Sequence, residues 1–459
     1  MQAKAKLNLF DFTMIMVSLV IGMGIFRTPA NVAKVAPDTF LFFVTWITGG
    51  LVALCGALTY AEIGSRLPVT GGYYKVFSYA YHPSIAFAIN CIILVSNAAS
   101  LAAIALVGSE YITGVIIPRM NDKAFMSIAA NAEHLQVVQI SIALTAIVIF
   151  YGLNLLGLKL SAKAQNILMM IKIGLILMLV LPIFFADTSA TTTMVHSTVN
   201  PTLKEYIKAF GIGLVAVSFT CGGYQQAINF GAEVKEPSKT VPRGIFFGIM
   251  IILALYLAIN YAYIKVIGFE NLKESKNIAA IMASKIFGIN AERVLSVFLF
   301  LGVLAYVNVL LMSNPRVMYA MSEDKILPPV FKRRNPKTDV ITVSLSVFAA
   351  LSALIVFWSK NFDNILSFTI FLDCFGMVLS AATIFILRKK TKHLDDTGIY
   401  KMKLYPLLPI IFIAAYSFVA ISISLDYKAN DYAAITGLLI LGTFIFLYFL
   451  AKLIKKPNA

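Results

Sequence analysis

Charged side chains are scarce in this sequence: they make up 13% of the 459 residues, whereas hydrophobic residues make up 59%. An average soluble domain has about 25% charged residues. The mean hydropathy is correspondingly high, at +0.84. This composition excludes an ordinary soluble enzyme, a disordered chain and a nucleic-acid-binding domain, and it indicates a protein that lies in a membrane.

The sequence also has few of the residues that form metal sites and disulfide frameworks. It contains four cysteines and four histidines, with no CxxC pair, no HExxH motif and no other spacing typical of metal ligands. A GxxxxGK(S/T) phosphate-binding loop and a GxSxG nucleophile motif are absent as well. We therefore expect no cofactor, no bound metal and no enzymatic activity, and the sequence argues against an ATP-driven pump.

Twelve segments of the sequence are long and apolar enough to cross a membrane as helices, which takes about 20 residues each. A transmembrane barrel would need strands that alternate apolar and polar residues, but ISIALTAIVIF at 140–150 is continuously apolar. The sequence therefore predicts an all-helical, multi-pass membrane protein. The expected spans are 12–35, 40–64, 85–116, 135–156, 165–186, 205–231, 243–267, 292–320, 340–358, 364–387, 404–425 and 432–451.

Lysine and arginine are distributed unequally between the loops on the two sides of the predicted helices. The side that carries both termini has 24 of them, and the other side has 12. Because loops rich in lysine and arginine stay in the cytoplasm, we expect both termini to be cytoplasmic and the protein to lie in the cell membrane. This asymmetry accounts for the net charge of +16 without a nucleic acid or another anionic partner.

Two of the predicted spans contain pairs of glycines that allow a helix to stop and restart. Gly22 and Gly24 lie in VSLVIGMGIFRTP of the first span, and Gly222 and Gly223 lie in VSFTCGGYQQAINFGAE of the sixth. Such pairs can also serve close helix packing, but these two are 200 residues apart and each opens a block of five spans. The two blocks have opposite topology, which is the pattern of a transporter with a five-plus-five inverted repeat and discontinuous first and sixth helices.

Four motifs lie in order along the predicted spans. They are IGMGIF at 21–26, AEIGSRLPVTGGYY at 61–74, FTCGGYQQ with EVKEPSKTVPRGI between 219 and 245, and NPRVMYAMSEDKILP at 314–328. The chain thereby resembles the amino acid–polyamine–organocation superfamily, most of all the L-type amino acid transporter family with its bacterial members. The resemblance implies the leucine-transporter fold, with these parts: a cytoplasmic N-terminus (1–11), a first repeat (12–186), an inverted second repeat (205–389), helices eleven and twelve (403–454) and a cytoplasmic C-terminus (455–459).

The resemblance also implies a substrate site at the two interruptions. Backbone amides of Met23 and Gly24 would bind the substrate carboxylate. Carbonyl groups of Val20, Phe219 and Gly222 would accept hydrogen bonds from its α-ammonium group, and the Phe219 ring would close over it from outside. The residues expected around the substrate are Val20, Ile21, Gly22, Met23, Gly24, Phe219, Cys221, Gly222, Gly223, Tyr224 and Gln225.

Several of these positions depart from the family pattern. Met23 stands where a small hydroxyl residue is common, which narrows the expected pocket. Tyr224 and Gln225 stand where many members have tryptophan and asparagine. Cys221 stands where cation-selective relatives tend to carry aspartate, so we expect neutral amino acids rather than arginine or lysine as the main substrates.

Four charged residues within the predicted spans are candidates for a function, because charge in a membrane is costly and usually functional. Lys172 matches a lysine of sodium-independent family members whose ammonium group takes the place of a sodium ion between helices one, five and eight; snorkelling to the interface is the alternative. Glu110 and Asp373 are candidates for a proton site or for a buried polar network. Arg27 is either a charge of the outer vestibule or a solvated residue.

These observations predict a secondary active transporter that moves neutral L-amino acids by alternating access, through sodium-independent exchange. A proton-coupled amino acid or amine symporter that uses Glu110 or Asp373 is the alternative within the superfamily. A channel or a membrane-embedded enzyme is the alternative of a different class. The predicted loop at 117–134 contains no cysteine, which argues against the disulfide that joins animal members to an ancillary glycoprotein. The expected partners are the amino acid substrate and the lipid bilayer.

Overall fold

The protein is helical along almost all of the chain that the computed structural model describes, which comprises residues 6–116, 132–185, 202–275, 278–279, 281–282, 289–358, 362–394, 398–425 and 433–454. The helices, numbered here in chain order, are α1 (Leu9–Val20), α2 (Gly24–Val35), α3 (Thr39–Arg66), α4 (Gly72–Ala80), α5 (Pro83–Ile116), α6 (Ala132–Leu155), α7 (Leu158–Val180), α8 (Leu203–Cys221), α9 (Pro237–Ile267), α10 (Phe269–Lys273), α11 (Ile289–Glu323), α12 (Thr342–Trp358), α13 (Phe362–Lys390), α14 (Leu407–Leu425) and α15 (Ala433–Ile454).

Ten helical stretches among the described residues are long and apolar enough to cross a membrane, and the first of them comprises α1 and α2 together. Two shorter apolar stretches, Thr342–Phe357 and Ile435–Leu450, lie in α12 and α15. The chain is therefore a multi-pass membrane protein, as its composition predicts. The sequence predicts twelve spans. Ten of the described stretches reach the length that a span needs, whereas the stretches in α12 and α15 are shorter.

The first and sixth predicted spans enter the molecule from opposite faces. α1 begins with a reciprocal cap, in which the Asn8 side chain accepts from the amide of Asp11 at 2.8 Å and the Asp11 carboxylate accepts from the amide of Asn8 at 3.2 Å. Leu7, just before α1, pairs with Val234, which lies beyond the far end of the sixth span. α1 therefore starts on the face where the sixth span finishes, and the two run in opposite directions.

A group of charged residues joins three parts of the chain on the face where α1 begins. This terminus-face cluster consists of Lys6, Glu233, Arg316, Arg334 and Asp339. Nζ of Lys6 lies 3.0 Å from Oδ2 of Asp339, and Nη1 of Arg334 lies 3.2 Å from Oδ1. Nε of Arg316 donates to the Glu233 carboxylate, and the amide of Lys6 donates to the Glu233 carbonyl at 2.8 Å. The segment before α1, the turn after α8 and the loop after α11 are thereby held together.

The electrostatics of this cluster favour the ionised form of Asp339. Partial burial alone would raise the pKa of the carboxyl group, but the hydrogen bond from Lys6 and the charge of Arg334 outweigh burial and lower it. The cluster is therefore a group of oppositely charged side chains that connects these segments on the terminus face.

A second ion cluster, centred on Glu62, joins the end of α3 to the end of α13. The Glu62 side chain is fully buried and its Oε1 accepts from Nε of Arg66 and from Nε of Arg388, both at 2.8 Å. Its Oε2 accepts from Nη2 of Arg388 at 2.7 Å and from the amide of Met402 at 2.9 Å. This one carboxylate therefore receives four hydrogen bonds and connects α3, α13 and the segment before α14.

Candidate functional site at the two helix interruptions

Both helices that the glycine pairs predict to be discontinuous are interrupted. α1 ends at Val20 and α2 begins at Gly24, whereas α8 ends at Cys221 and a 3-10 turn begins at Tyr224. Between those two, Gly223 has a φ of +107°, in the region that favours glycine. Each interruption leaves terminal amide or carbonyl groups without helical partners.

The two interruptions pack against each other through their glycines. A Cβ atom on Gly223 would overlap the carbonyl oxygen of Leu19, and a Cβ atom on Gly24 would lie 2.9 Å from the side-chain methyl group of Thr220. The hydroxyl oxygen of Thr220 also lies 2.6 Å from that of Thr28. The point where α1 gives way to α2 is thus in direct contact with the end of α8.

A cavity of about 630 Å³ lies at this junction. It extends along α2 and α8, away from the terminus-face cluster, as far as Arg27, Asn31 and Ile212. Phe219 is on its wall and is 42% exposed. Eight of the residues expected around a substrate line the cavity: Val20, Gly22, Met23, Gly24, Phe219, Gly222, Gly223 and Gln225.

Helix ends of opposite polarity meet this cavity. α2 begins here, and within the described residues the amides of Met23 and Gly24 donate no backbone hydrogen bond. Free amides at the positive end of a helix dipole attract an anion. α1 and α8 end here, and their last carbonyl groups form the negative ends of two helix dipoles, which attract a cation. The arrangement therefore fits a ligand that carries a carboxylate and an ammonium group close together.

Three of the residues expected around a substrate lie outside the cavity. Ile21, Cys221 and Tyr224 are at most 1% exposed and are not among the lining residues. The Tyr224 ring packs edge-on against the Tyr60 ring, with centroids 6.0 Å apart, and its hydroxyl lies directly against Gly56. The turn at the preceding glycine thus directs the Tyr224 side chain toward α3 and away from the cavity.

The side chain of Gln225 stabilises the interruption itself. Its Oε1 accepts a hydrogen bond from the amide of Gly223 at 2.9 Å, which satisfies a donor left free at the start of the 3-10 turn. The neighbouring Gln226 lines the cavity together with Asn97 of α5, and its Nε2 donates to Asn97 at 3.2 Å. Nδ2 of Asn97 donates in turn to Asn314 of α11 at 2.7 Å. The sequence analysis missed this amide group, although each residue is a polar side chain within an apolar span.

Lys172 projects from α7 into the space between the first interruption and α11. It is 1% exposed, and its Nζ donates a hydrogen bond to the carbonyl oxygen of Ile21 at 2.6 Å. A Cβ atom on Gly302 would lie 3.0 Å from Cε of Lys172, so the glycine makes room for the lysine stem on the α11 side. The lysine therefore binds the first residue after α1 and connects the interruption to the surrounding helices.

A chain of amide and hydroxyl side chains joins the same helices nearer the terminus face. Nε2 of Gln165 donates to the hydroxyl of Ser18 at 2.6 Å, and Nδ2 of Asn308 donates to Oε1 of Gln165 at 2.7 Å. Nδ2 of Asn154 donates to Oδ1 of Asn308 at 2.9 Å. All four residues are buried, so α1, α6, α7 and α11 are held by fully paired polar groups.

A family model described as an amino acid permease matches residues 7–450, which is nearly the whole chain. The chain belongs to the amino acid permease family. The serine/threonine exchanger SteT of Bacillus subtilis is 26% identical over 427 residues, covering 91% of this permease and 90% of that protein. The human cystine/glutamate transporter is 24% identical, covering 100% of this chain and 87% of that protein. The rabbit (Oryctolagus cuniculus) large neutral amino acids transporter small subunit 2 is 24% identical, covering 91% and 75%.

The other charged residues expected within the spans occupy different parts of the permease. Arg27 lies on the cavity wall, and its Nη2 is 3.8 Å from Oε2 of Glu110, with the two side chains 50% and 56% exposed. This pair therefore lies at the mouth of the cavity and not in a buried polar network. Asp373 of α13 lines the cavity itself.

Replacing Gly223 with alanine should disable the permease. The side chain would be forced into a left-handed conformation and into the carbonyl of Leu19, which costs at least about 1–2 kcal/mol and displaces the two interruptions. We expect amino acid uptake per folded protein in proteoliposomes to fall by at least about tenfold. Gly211→Ala is the matched control on α8, because a Cβ atom there makes only ordinary contacts with α14. Equal activity of the two variants would show that the close approach of Gly223 to Leu19 is not needed for transport.

Proposed function

We propose that this permease is a secondary active transporter that moves neutral L-amino acids across the cell membrane by sodium-independent exchange. The observation that carries the proposal is the cavity at the joined interruptions, where the start of α2 and the ends of α1 and α8 meet. An α-amino acid has a carboxylate and an ammonium group on one carbon, which matches the opposite polarities of those helix ends.

The charged side chains on the described cavity wall are Arg27 and Asp373, one of each sign, which favours substrates without net charge. The amides of Met23 and Gly24 would bind the carboxylate, and the carbonyls of Val20, Phe219 and Gly222 would accept from the ammonium group. With Cys221 buried outside the cavity, substrate selectivity would depend on Phe219 and on the amides of Asn97 and Gln226. Serine and threonine, which the name of the Bacillus subtilis relative mentions, are neutral and would suit such amides.

Lys172 supports independence from sodium. Its Nζ contacts the carbonyl of Ile21 and would take the place of a sodium ion at the unwound end of α1. Because the ammonium group of a lysine is covalently attached to the chain, it stabilises the interruption whether or not sodium is present. A carrier without a coupling ion can still drive uptake of one amino acid by the outward gradient of another, which is why exchange is proposed.

The proposed architecture is the twelve-helix, five-plus-five inverted repeat with cytoplasmic termini. In that orientation the terminus-face cluster closes the cytoplasmic side, while the cavity extends toward the outside past Arg27. This would be the outward-facing state of an alternating-access cycle. We also propose that the transporter works without a disulfide-linked subunit, because Cys55, Cys221 and Cys374 are buried and Cys91 is partly buried.

Transport by the purified protein in proteoliposomes tests the proposal. After a thermal-shift screen of common amino acids has chosen the substrates, we expect radiolabelled uptake only into vesicles that contain unlabelled neutral amino acid. Equal rates in sodium and potassium buffers are expected as well. A strict requirement for a sodium gradient would refute the ion-independent mechanism, and failure of every neutral amino acid to bind and exchange would refute the proposed substrate class.

The position of Asp373 on the cavity wall favours one second candidate, a proton-coupled amino acid or amine symporter. A carboxylate that can reach both substrate and water is able to carry a proton with the substrate. The same vesicles distinguish the two mechanisms. Uptake driven by an inward proton gradient into vesicles without internal amino acid would support the symporter. An uptake rate that requires internal amino acid and does not change with the proton gradient would support exchange.

A further inference from the structure

A groove of about 470 Å³ runs between α6 and α7 on the outer surface of the permease. Four of its lining residues lie on α6 or directly after it, three lie on α7, and all of them are apolar. The side chains of Ile149, Leu156 and Ile167 are exposed, and the stretch that contains α6 is the least buried of the ten long apolar stretches. The groove therefore opens onto lipid, and none of its lining residues also lines the substrate cavity.

Two small residues keep this groove open. Gly152 lies on the same face of α6 as Ile149 and Leu156, because residues three and four apart on a helix are neighbours. A Cβ atom on Gly152 would meet nothing within 4 Å outside its own backbone. On α7, Ala164 has the smallest side chain among the lining residues. A large side chain at either position would therefore occupy the space between the two helices.

The groove lies in the half of the membrane nearer the terminus face. α6 ends and α7 begins at a turn on that face, where a Cβ atom on Gly157 would lie 3.4 Å from the carbonyl oxygen of Thr338, next to Asp339 of the terminus-face cluster. From Ile149 to Leu156 the groove extends about 10 Å, at the rise of an α-helix, and one leaflet contributes about 15 Å of hydrocarbon. The groove therefore lies within one leaflet, and its apolar side chains suit an acyl chain.

Two lysines stand at the terminus-face end of this groove. Lys159 and Lys163 of α7 are exposed and lie four residues apart, so they share a helix face, and Ile167 of the groove follows on the same face one turn further. Within the described residues, neither lysine forms an ion pair with a carboxylate. Their ammonium groups are therefore available to an anion at the level of the lipid headgroups.

We propose that the groove between α6 and α7 binds an anionic phospholipid from the leaflet on the terminus face. One acyl chain lies between the two helices, and the phosphate group binds Lys159 and Lys163. Burial of the chain supplies affinity for any phospholipid, whereas the two lysines favour one with a net negative charge. The site is separate from the substrate cavity, so the inference does not depend on which amino acid is transported.

A lipid in this site would stabilise the packing of α7 on α1. Gln165 and Asn166 lie between groove residues in the sequence, but they face α1: Nε2 of Gln165 donates to the hydroxyl of Ser18 and Nδ2 of Asn166 donates to Oδ1 of Asp11, both at 2.6 Å. A ligand that contacts the other side of this turn of α7 adds contacts to the folded state only. Bound lipid should therefore raise the melting temperature by mass action.

Lipid binding to the full-length purified protein in detergent tests the inference. The probes are phosphatidylglycerol, phosphatidylcholine with the same acyl chains, and glycerophosphoglycerol, which has the anionic headgroup without chains. Dissociation constants come from native mass spectrometry, and thermal shift gives the change in melting temperature. We expect the wild type to bind phosphatidylglycerol at least about tenfold more tightly than phosphatidylcholine, because two lysines face the lipid charge. Glycerophosphoglycerol should not compete, because it cannot fill the groove.

Two variants separate the headgroup from the chain. The double substitution Lys159→Gln and Lys163→Gln should remove the preference for phosphatidylglycerol and leave phosphatidylcholine binding unchanged. Gly152→Leu should weaken both lipids at least about fivefold and abolish the rise in melting temperature. Gly442→Leu is the matched control, because Gly442 lies on another exposed helix face and a Cβ atom there also meets nothing within 4 Å.

A second control addresses unspecific attraction between basic residues and anionic lipid. Lys389 and Lys392 are exposed at the end of α13, and replacing both with glutamine should leave phosphatidylglycerol affinity within about twofold of the wild type. Equal loss in the two lysine double variants, or wild-type binding by Gly152→Leu, would overturn the inference. So would equal affinity of the wild type for the two lipids, a comparison that needs no substitution and remains decisive if a variant does not fold. Each of these outcomes leaves the transport proposal intact, because exchange is measured separately.

Discussion

Replacing Lys172 with alanine should reduce amino acid exchange by about tenfold to hundredfold, the equivalent of the 1.5–3 kcal/mol typical of a hydrogen bond to a charged group. The Nζ atom is the donor that binds the Ile21 carbonyl, at 2.6 Å, and the lysine is 1% exposed. Without it, the first interruption loses its connection to α7 and its carbonyl is left in an apolar space. The amides at the start of α2 would then be held less firmly in the position that binds a carboxylate.

Two further variants separate the charge from the packing. Lys172→Met keeps an unbranched stem against Gly302 but removes the ammonium group, so it should lose nearly as much exchange as Lys172→Ala. Lys163→Ala removes an exposed lysine from the same helix and should leave exchange within about twofold of the wild type. The measurement is the initial rate of exchange in proteoliposomes, normalised to folded protein. Wild-type exchange by Lys172→Met would show that the ammonium group has no part in the site.

The two helix interruptions could be predicted from the sequence because their cause is local. Glycine pairs within otherwise apolar spans are visible as residue types, and the structure places both breaks at Gly22 and at Gly222–Gly223. Lys172 could be recognised from the sequence for a similar reason, since a charge in an apolar run needs a partner wherever it lies. The resemblance implies a partner among the carbonyl groups of the first helix, but the sequence does not show which one, because Ile21 lies 151 residues away.

The direction of side chains around the breaks could not be predicted in the same way. Tyr224 follows a glycine with φ of +107° and belongs to a 3-10 turn, so the periodicity of α8 does not apply to it. Its side chain consequently packs on Gly56 instead of lining the cavity. The Asn97–Gln226 pair depends on a contact between distant segments, which no spacing within one span encodes. Glu110 is a candidate for a proton site or a buried polar network from the sequence alone, and only the structure shows it 56% exposed and 3.8 Å from Arg27.

The contacts of Glu62 could not be predicted from the sequence either, since Glu62 and Arg388 are 326 residues apart. Because Glu62 is fully buried, we expect its ion pairs to contribute strongly to stability. Glu62→Ala would remove the acceptor of four hydrogen bonds, one of them from Arg66 and two from Arg388. Removing one partner of a buried ion pair costs up to about 3–5 kcal/mol, because its hydrogen bonds and its charge are lost in a place that excludes water. We therefore expect a large loss of thermal stability.

The size of this effect is checked against an exposed ion pair of the same kind. Glu270 pairs with Lys273 at 2.9 Å, but its side chain is 58% exposed, so Glu270→Ala should cost at most about 1 kcal/mol. The melting temperatures of both variants, measured by thermal shift on purified protein at matched detergent and salt, should therefore separate clearly. Glu62→Gln should resemble Glu62→Ala, because the amide would direct an NH2 donor toward the donors that Oε1 or Oε2 now accepts from. Equal melting temperatures for Glu62→Ala and Glu270→Ala would show that the buried carboxylate does not hold α3 to α13, whereas a selective loss would identify it as a principal connection between those two helices.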